Sequence, residues 1–164
     1  MCATVGPSEG ELVGRVALAT ALGTLVGIDR ELTDKDAGIR THALVALGAA
    51  AFAAAGYAVL AVPGSLALRP DIGRIAAQVA SGIGFIGAGL IIFRGGRLRG
   101  LTTAADLWVV AAIGVLAGLG FLVVASATAG LVLFVIVAGR ALRRWLNHRL
   151  PRRLIESEQA ADRE

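Results

Sequence analysis

The chain has 164 residues, 56% of them hydrophobic and only 17% charged, with twenty-two glycines, two histidines and one cysteine. That balance leaves too little polar surface for a soluble domain of this size, and Cys2 with only His42 and His148 gives neither an intrachain disulfide nor a Cys/His metal cluster. The net charge of +4 comes from arginines and the single lysine, Lys35; they sit at the edges of apolar runs, which is a membrane-topology pattern and not a nucleic-acid footprint.

Residues 1–10 carry no positive charge and no apolar core, so no cleavable signal peptide is expected and this segment reads as a short periplasmic N-terminus. Crossing a hydrocarbon core of about 30 Å takes about 20 apolar residues. A first span is predicted over 12–28, preceded by Glu11 and closed by Asp29-Arg30-Glu31, with Arg15 snorkelling to the interface. A second covers 41–62 and stops at Pro63-Gly64. A third covers 72–93, opening on Asp71 as N-cap and ending before Arg94-Gly95-Gly96. Residues 107–139 hold no charge. As one helix they would be about 50 Å long, too long for one crossing. Gly118-Leu119-Gly120 divides them, giving spans over 101–119 and 121–142.

The fold class is therefore an all-α integral membrane protein, a bundle of about five transmembrane helices over 11–142, followed by a short basic tail over 143–164. Of the basic residues near the span ends, twelve fall on one side (Arg30, Lys35, Arg40, Arg94, Arg97, Arg99, Arg140, Arg143, Arg144, Arg149, Arg152, Arg153) and three on the other (Arg15, Arg69, Arg74). The richer side is expected in the cytoplasm, which puts the N-terminus outside and the C-terminus inside. Leu142, Trp145, Leu146, Leu150 and Leu154 alternate with arginines at helical spacing, suiting a helix on the inner leaflet or a docking surface.

Ionisable groups inside a bilayer are functional candidates by default. Asp106 lies about 7 Å below the start of the fourth span, on a face shared with Thr102. It needs a buried partner, and Arg40 is the first choice and Arg30 the second. In the third span Arg74, Gln78, Ser81 and Phe85 share one face. Small residues there (Gly73, Ala76, Ala80, Gly82, Gly84, Gly87, Gly89) read as a packing seam, as do the GxxxG pairs Gly23/Gly27 and Gly114/Gly118. Asp29, Glu31, Asp34 and Asp36 offer oxygen ligands for a cation, although Arg30 and Lys35 interrupt them. Gly82 to Gly87 fits GxGxxG with Asp106 downstream, yet it lies inside an apolar span and lacks the strand and soluble helix that dinucleotide binding requires. No phosphate loop, HExxH or nucleophile–base pair is present. No catalytic residue, cofactor, nucleotide or nucleic acid is expected, and the chain is not expected to be an enzyme.

Three stretches resemble, in order, the signatures of the MgtC/SapB family of bacterial membrane proteins. They are Gly27-Ile28-Asp29-Arg30-Glu31 with Ala37-Gly38-Ile39-Arg40-Thr41-His42, then DIGRIAAQVASGIGFIGAG from Asp71 to Gly89, then GLTTAADLW from Gly100 to Trp108. The resemblance covers roughly residues 11–140. It implies an inner-membrane protein of about five helices linked to magnesium homeostasis and growth at low Mg²⁺. It also implies action on other membrane proteins, such as the F-type ATP synthase or magnesium P-type ATPases. By the resemblance, Arg30, Glu31, Arg40, Thr41, His42, Arg74, Gln78, Thr102 and Thr103 match the family's polar signature positions, and Ser81 and Asp106 fall within the same motifs. The best-known members carry a soluble regulatory domain after the last helix. Only 22 residues follow Leu142 here, so none is expected.

The expected function is a non-catalytic membrane regulator that binds another membrane protein, or itself, through its small-residue seams and cytoplasmic loops. The alternative is a cation transporter or channel using Asp106 and the Arg74/Gln78/Ser81 stripe. The spans show no ring of acidic residues for a cation path, which favours the regulator.

Overall fold

Ser8 and Asp71 begin two of the helices by accepting backbone N–H bonds, from Glu11 at 3.2 Å and from Arg74 at 3.1 Å, which satisfies donors that a helix start leaves orphaned. These details come from a computed structural model, which describes residues 7–60, 71–94 and 97–149. Cys2, the Pro63-Gly64 stop, Arg69 and the tail from Leu150 onward lie outside the described residues.

Among the described residues there are five helices: α1 (Glu9–Glu31), α2 (Ile39–Leu60), α3 (Ile72–Leu90), α4 (Leu101–Gly118) and α5 (Leu122–Arg149). A short antiparallel hairpin, β1 (Ile92–Arg94) with β2 (Arg97–Arg99), joins α3 to α4. Helices α1, α2, α4 and α5 are long and apolar enough to cross a membrane, while α3, with Arg74, Gln78 and Ser81, is not among that set. The outward surface carries Val13, Leu25, Phe52, Val123 and Phe134, as a lipid-facing surface should. This is an all-α membrane protein.

The chain divides into two compact units, Met1–Val132 and Leu133–Glu164. In the first, α2 lies between α1 and α4, which is possible because its contact faces are alanine. A Cβ on Gly114 would lie 2.5 Å from the Ala46 carbonyl oxygen, and one on Gly118 would meet the Ala50 carbonyl. On the other side a Cβ on Gly23 would lie 2.6 Å from Ala46 Cβ, and one on Gly27 2.7 Å from Ile39 Cα. Backbones this close gain dispersion contacts that larger side chains would prevent. Ala19, Leu22, Ala50, Ile113, Ala117, Ala125 and Ala129 form the main core, and Ala49, Ile83 and Ala111 a second one beneath α3. The described part of the second unit is α5 from Leu133 to Arg149, and in its basic last turns the Arg149 guanidinium lies 5.3 Å from the Trp145 ring.

Two turns explain the connections. At Gly118-Leu119-Gly120 the Gly120 and Phe121 N–H groups donate to the Ala117 and Leu116 carbonyls, each at 2.9 Å, and Gly120 adopts φ +93°. That is a Schellman ending, which needs glycine at the left-handed position. Gly100 (φ +84°) caps α4, and a Cβ there would strike the last carbonyl of α3, at Leu90.

One expectation is corrected. The third helix ends at Leu90 and not at residue 93, because Ile92–Arg94 pairs with Arg97–Arg99 around Gly95-Gly96. Arg15 is 9% exposed, donates to the Gly118 carbonyl at 3.3 Å, pairs with Glu11 at 2.6 Å and covers the Tyr57 ring at 4.9 Å. The helical assignment of α5 runs without a break to Arg149.

Candidate functional site

Apart from Arg15 beside the α4–α5 turn, the buried polar residues of the described interior gather where the end of α1, the start of α2 and the first turns of α4 meet. Gly27 lets α1 close on Gly38 and on Ile39 and His42 of α2, and Arg30, one turn further along the same face, therefore enters the bundle. Arg30 Nε lies 3.0 Å from Asp106 Oδ2, with side-chain exposures of 4% and 9%. The angle falls outside a hydrogen bond, so this is an ion contact, and Arg30 Nη2 is buried with no hydrogen-bond partner among the described residues.

His42 is fully buried beside this pair, within electrostatic reach of both charges. Its Nδ1 lies 2.9 Å from the Gly38 carbonyl. A carbonyl only accepts, so Nδ1 carries the proton, and in the neutral ring Nε2 is an acceptor. That Nε2 is buried and has no hydrogen-bond partner among the described residues. Thr103, 3% exposed, sits one turn before Asp106 on α4.

Glu31 organises the entry to this cluster. Its Oε2 accepts the Ile39 N–H at 3.1 Å, serving as a substitute cap for the start of α2. A Cβ on Gly38 would meet the same carboxylate, so a larger residue there would push the Glu31 side chain off this position.

The predicted residues thus separate into two groups. Arg30, His42, Thr103 and Asp106 come together in the interior, with Glu31 at its edge. Arg40 and Thr41 instead line an outer groove with Arg74 and Gln78. The expected Arg40–Asp106 pair is corrected to Arg30–Asp106, because α2 turns Arg40 outward and His42 inward. Thr102 is exposed, and Thr103 is the threonine on the Asp106 face. Ser81 is exposed with Phe85 on α3.

Gly82, Gly84 and Gly89, expected in a packing seam, meet nothing within 4 Å, whereas Gly87 has Ala104 Cβ at 3.5 Å from an added Cβ. Helix α3 presents its Ile83/Gly87 side to the bundle and its glycine-rich side away from it. Among the described residues no group of three or more His, Cys, Asp or Glu side chains converges, so Asp29, Glu31, Asp34 and Asp36 form no cation site there. Arg15 was missed as an organising residue. The signal available was an arginine one turn inside an apolar run, facing the helix–helix turn.

Such a chain is a polytopic α-helical membrane protein with a buried charge-paired cluster at a three-helix junction. It belongs to the MgtC family, whose profile matches residues 16–145. Among its relatives, Protein MgtC of Salmonella typhimurium LT2 is 52% identical over 103 residues, covering 62% of this chain and 41% of that protein. Protein YhiD of Escherichia coli K12 is 44% identical over 113 residues, covering 67% of this chain and 52% of its own. A Haemophilus influenzae protein is 36% identical over 160 residues, 93% of this chain and 66% of that one. The chain spans about two fifths of the length of the Salmonella relative. No solved structure matches it.

Proposed function

We propose that this chain is a non-enzymatic inner-membrane protein of magnesium homeostasis, acting as a regulator or accessory factor on another membrane protein. Its N-terminus lies outside and its C-terminus in the cytoplasm on this reading, as the positive-inside rule requires. The magnesium link rests on family membership and on the E. coli relative, which is provisionally named a magnesium transporter. The observation that favours regulation over conduction is the state of Asp106. It is paired with Arg30, and among the described residues it belongs to no group of three or more His, Cys, Asp or Glu side chains that could hold a metal ion. A cation path needs uncompensated oxygen ligands or rings of acidic side chains. A carboxylate neutralised by a buried guanidinium supplies neither.

The second reading, a Mg²⁺ transporter, draws on the same relative's name and on the orphan His42 Nε2, which would let water enter the cluster. The regulator reading is tested in bacteria that lack their own MgtC-type gene and grow poorly at limiting Mg²⁺. Photocrosslinkers at the outward positions Phe85 and Trp108 should trap a discrete band with another membrane protein in cells whose growth the chain restores. Restored growth with no crosslinked partner from any outward position contradicts it.

A further inference from the structure

Helices α2 and α3 both pack on α4, and a groove of about 1210 Å³ runs between them. Beside it an added Cβ on Gly56 would strike the Ile75 side chain, so the two helices come close there. Its floor is Val45, Ala49, Val79 and Ile83, resting on Ala111 of α4. Its rims carry Leu44, Phe52 and Ile86, all outward-facing. Gly48 and Gly82 also line it, and an added Cβ on either would meet nothing within 4 Å.

A guanidinium stands at each end. Arg40, with Thr41 next to it, marks the end at the start of α2, and Arg74 marks the end at the start of α3. Neither side chain has an ion-pair or hydrogen-bond partner among the described residues. The ends differ in charge. Asp71, at the Arg74 end, is the one acidic residue in the described lining, so the Arg40 end is net positive. From Ile86 back to Arg74 is 12 residues of helix, about 18 Å, longer than half of a hydrocarbon core of about 30 Å, so an acyl chain that starts at the Arg40 end fits within it.

We infer that this groove holds one anionic phospholipid, with its phosphate on Arg40 and Thr41 and an acyl chain along the Val45/Ala49/Val79/Ile83 floor. An unpaired arginine at the mouth of an apolar slot between transmembrane helices is complementary to a charged head carrying an apolar tail. Unlike a bundle-facing helix, a lipid tail also tolerates the open glycines, because it conforms to the space they leave. A second groove, between α1 and α2, is lined by Leu12, Val16, Thr20, Leu25 and Leu47 and carries no charged residue, so it has nothing to select a headgroup.

The full chain, stripped of lipid in detergent, would be titrated with phosphatidylglycerol, phosphatidylcholine or inorganic phosphate while its thermal melting is followed. Phosphatidylglycerol should raise the midpoint saturably, phosphatidylcholine should do so at several-fold higher concentration, and phosphate should not. Arg40→Gln should weaken the phosphatidylglycerol effect about fivefold, the equivalent of the about 1 kcal/mol that one arginine contributes at an anionic surface. Arg74→Gln should leave it unchanged. Gly82→Leu and Gly48→Leu fill the groove without meeting described neighbours, and each should abolish the lipid shift while preserving the lipid-free midpoint. Ala17→Leu, in the uncharged groove, should have no effect. An unaltered lipid response in Arg40→Gln or in either leucine variant overturns the proposal, and so does an equal response to phosphate alone. A lipid-independent change from dimer to monomer on filling the groove, read by light scattering, would also overturn it and identify a second copy as the occupant.

Discussion

Replacing Asp106 by asparagine keeps the shape of the side chain and removes its charge, leaving Arg30 buried without compensation. Both side chains are almost wholly enclosed, at 4% and 9% exposure, with 3.0 Å between Nε and Oδ2. At charge centres about 4 Å apart and an effective dielectric near 20, the lost attraction is about 4 kcal/mol. Removing one member of a buried pair costs about 3–5 kcal/mol in soluble proteins, and water entering near the membrane interface lowers that figure. The expected loss for Asp106→Asn is therefore about 3 kcal/mol, and Arg30→Gln should lose a similar amount. Once one partner is gone, removing the other relieves a stranded charge. The double variant should thus be more stable than the sum of the two losses predicts by at least about 1.5 kcal/mol. Reversible unfolding in mixed micelles, read by tryptophan fluorescence, measures all three. Arg40→Gln combined with Asp106→Asn is the control and should be additive within about 0.5 kcal/mol. Additivity for Arg30 with Asp106, or coupling for Arg40 with Asp106, would refute the pairing.

Close helix contact at Gly118 predicts that Gly118→Val costs about 1–3 kcal/mol through overpacking, whereas Gly84→Leu changes stability by no more than about 0.5 kcal/mol; equal losses in the same unfolding assay would contradict the two environments. Glu31→Ala should remove the cap on Ile39 and cost about 1 kcal/mol, while Glu31→Gln should retain most of the stability, as judged by melting and by amide exchange at the start of α2. Arg15→Ala breaks a charged hydrogen bond to the Gly118 carbonyl and should cost about 1.5–3 kcal/mol, with proteolysis appearing at the α4–α5 turn.

Much of the architecture was legible because it rests on local chemistry. Asp71 as a cap and Gly118-Leu119-Gly120 as a turn follow from which residues can accept a helix N–H or adopt positive φ. The hairpin over 92–99 was hidden because Ile91-Ile92-Phe93 continues the apolar run of α3, and only the return of Gly100 onto the Leu90 carbonyl separates it. The site was harder, since it depends on how each helix is rotated. A turn of one residue, about 100°, decides between Thr102 and Thr103 on α4, and two residues decide between Arg40 and His42 on α2. Nothing in a single span fixes that angle. The glycines of α3 illustrate the same point, because a small-residue stripe shows where a helix permits close approach and not whether a neighbour takes it.

Mg²⁺ flux into proteoliposomes containing only this protein bears most directly on the claim that Asp106 is locked in an ion pair and serves no cation path. With a Mg²⁺ gradient and a membrane potential imposed, uptake should match that of empty vesicles for the wild type, and Asp106→Asn should behave identically. Saturable Mg²⁺ uptake by the wild type that is lost in Asp106→Asn, with the variant shown to be folded, would contradict it.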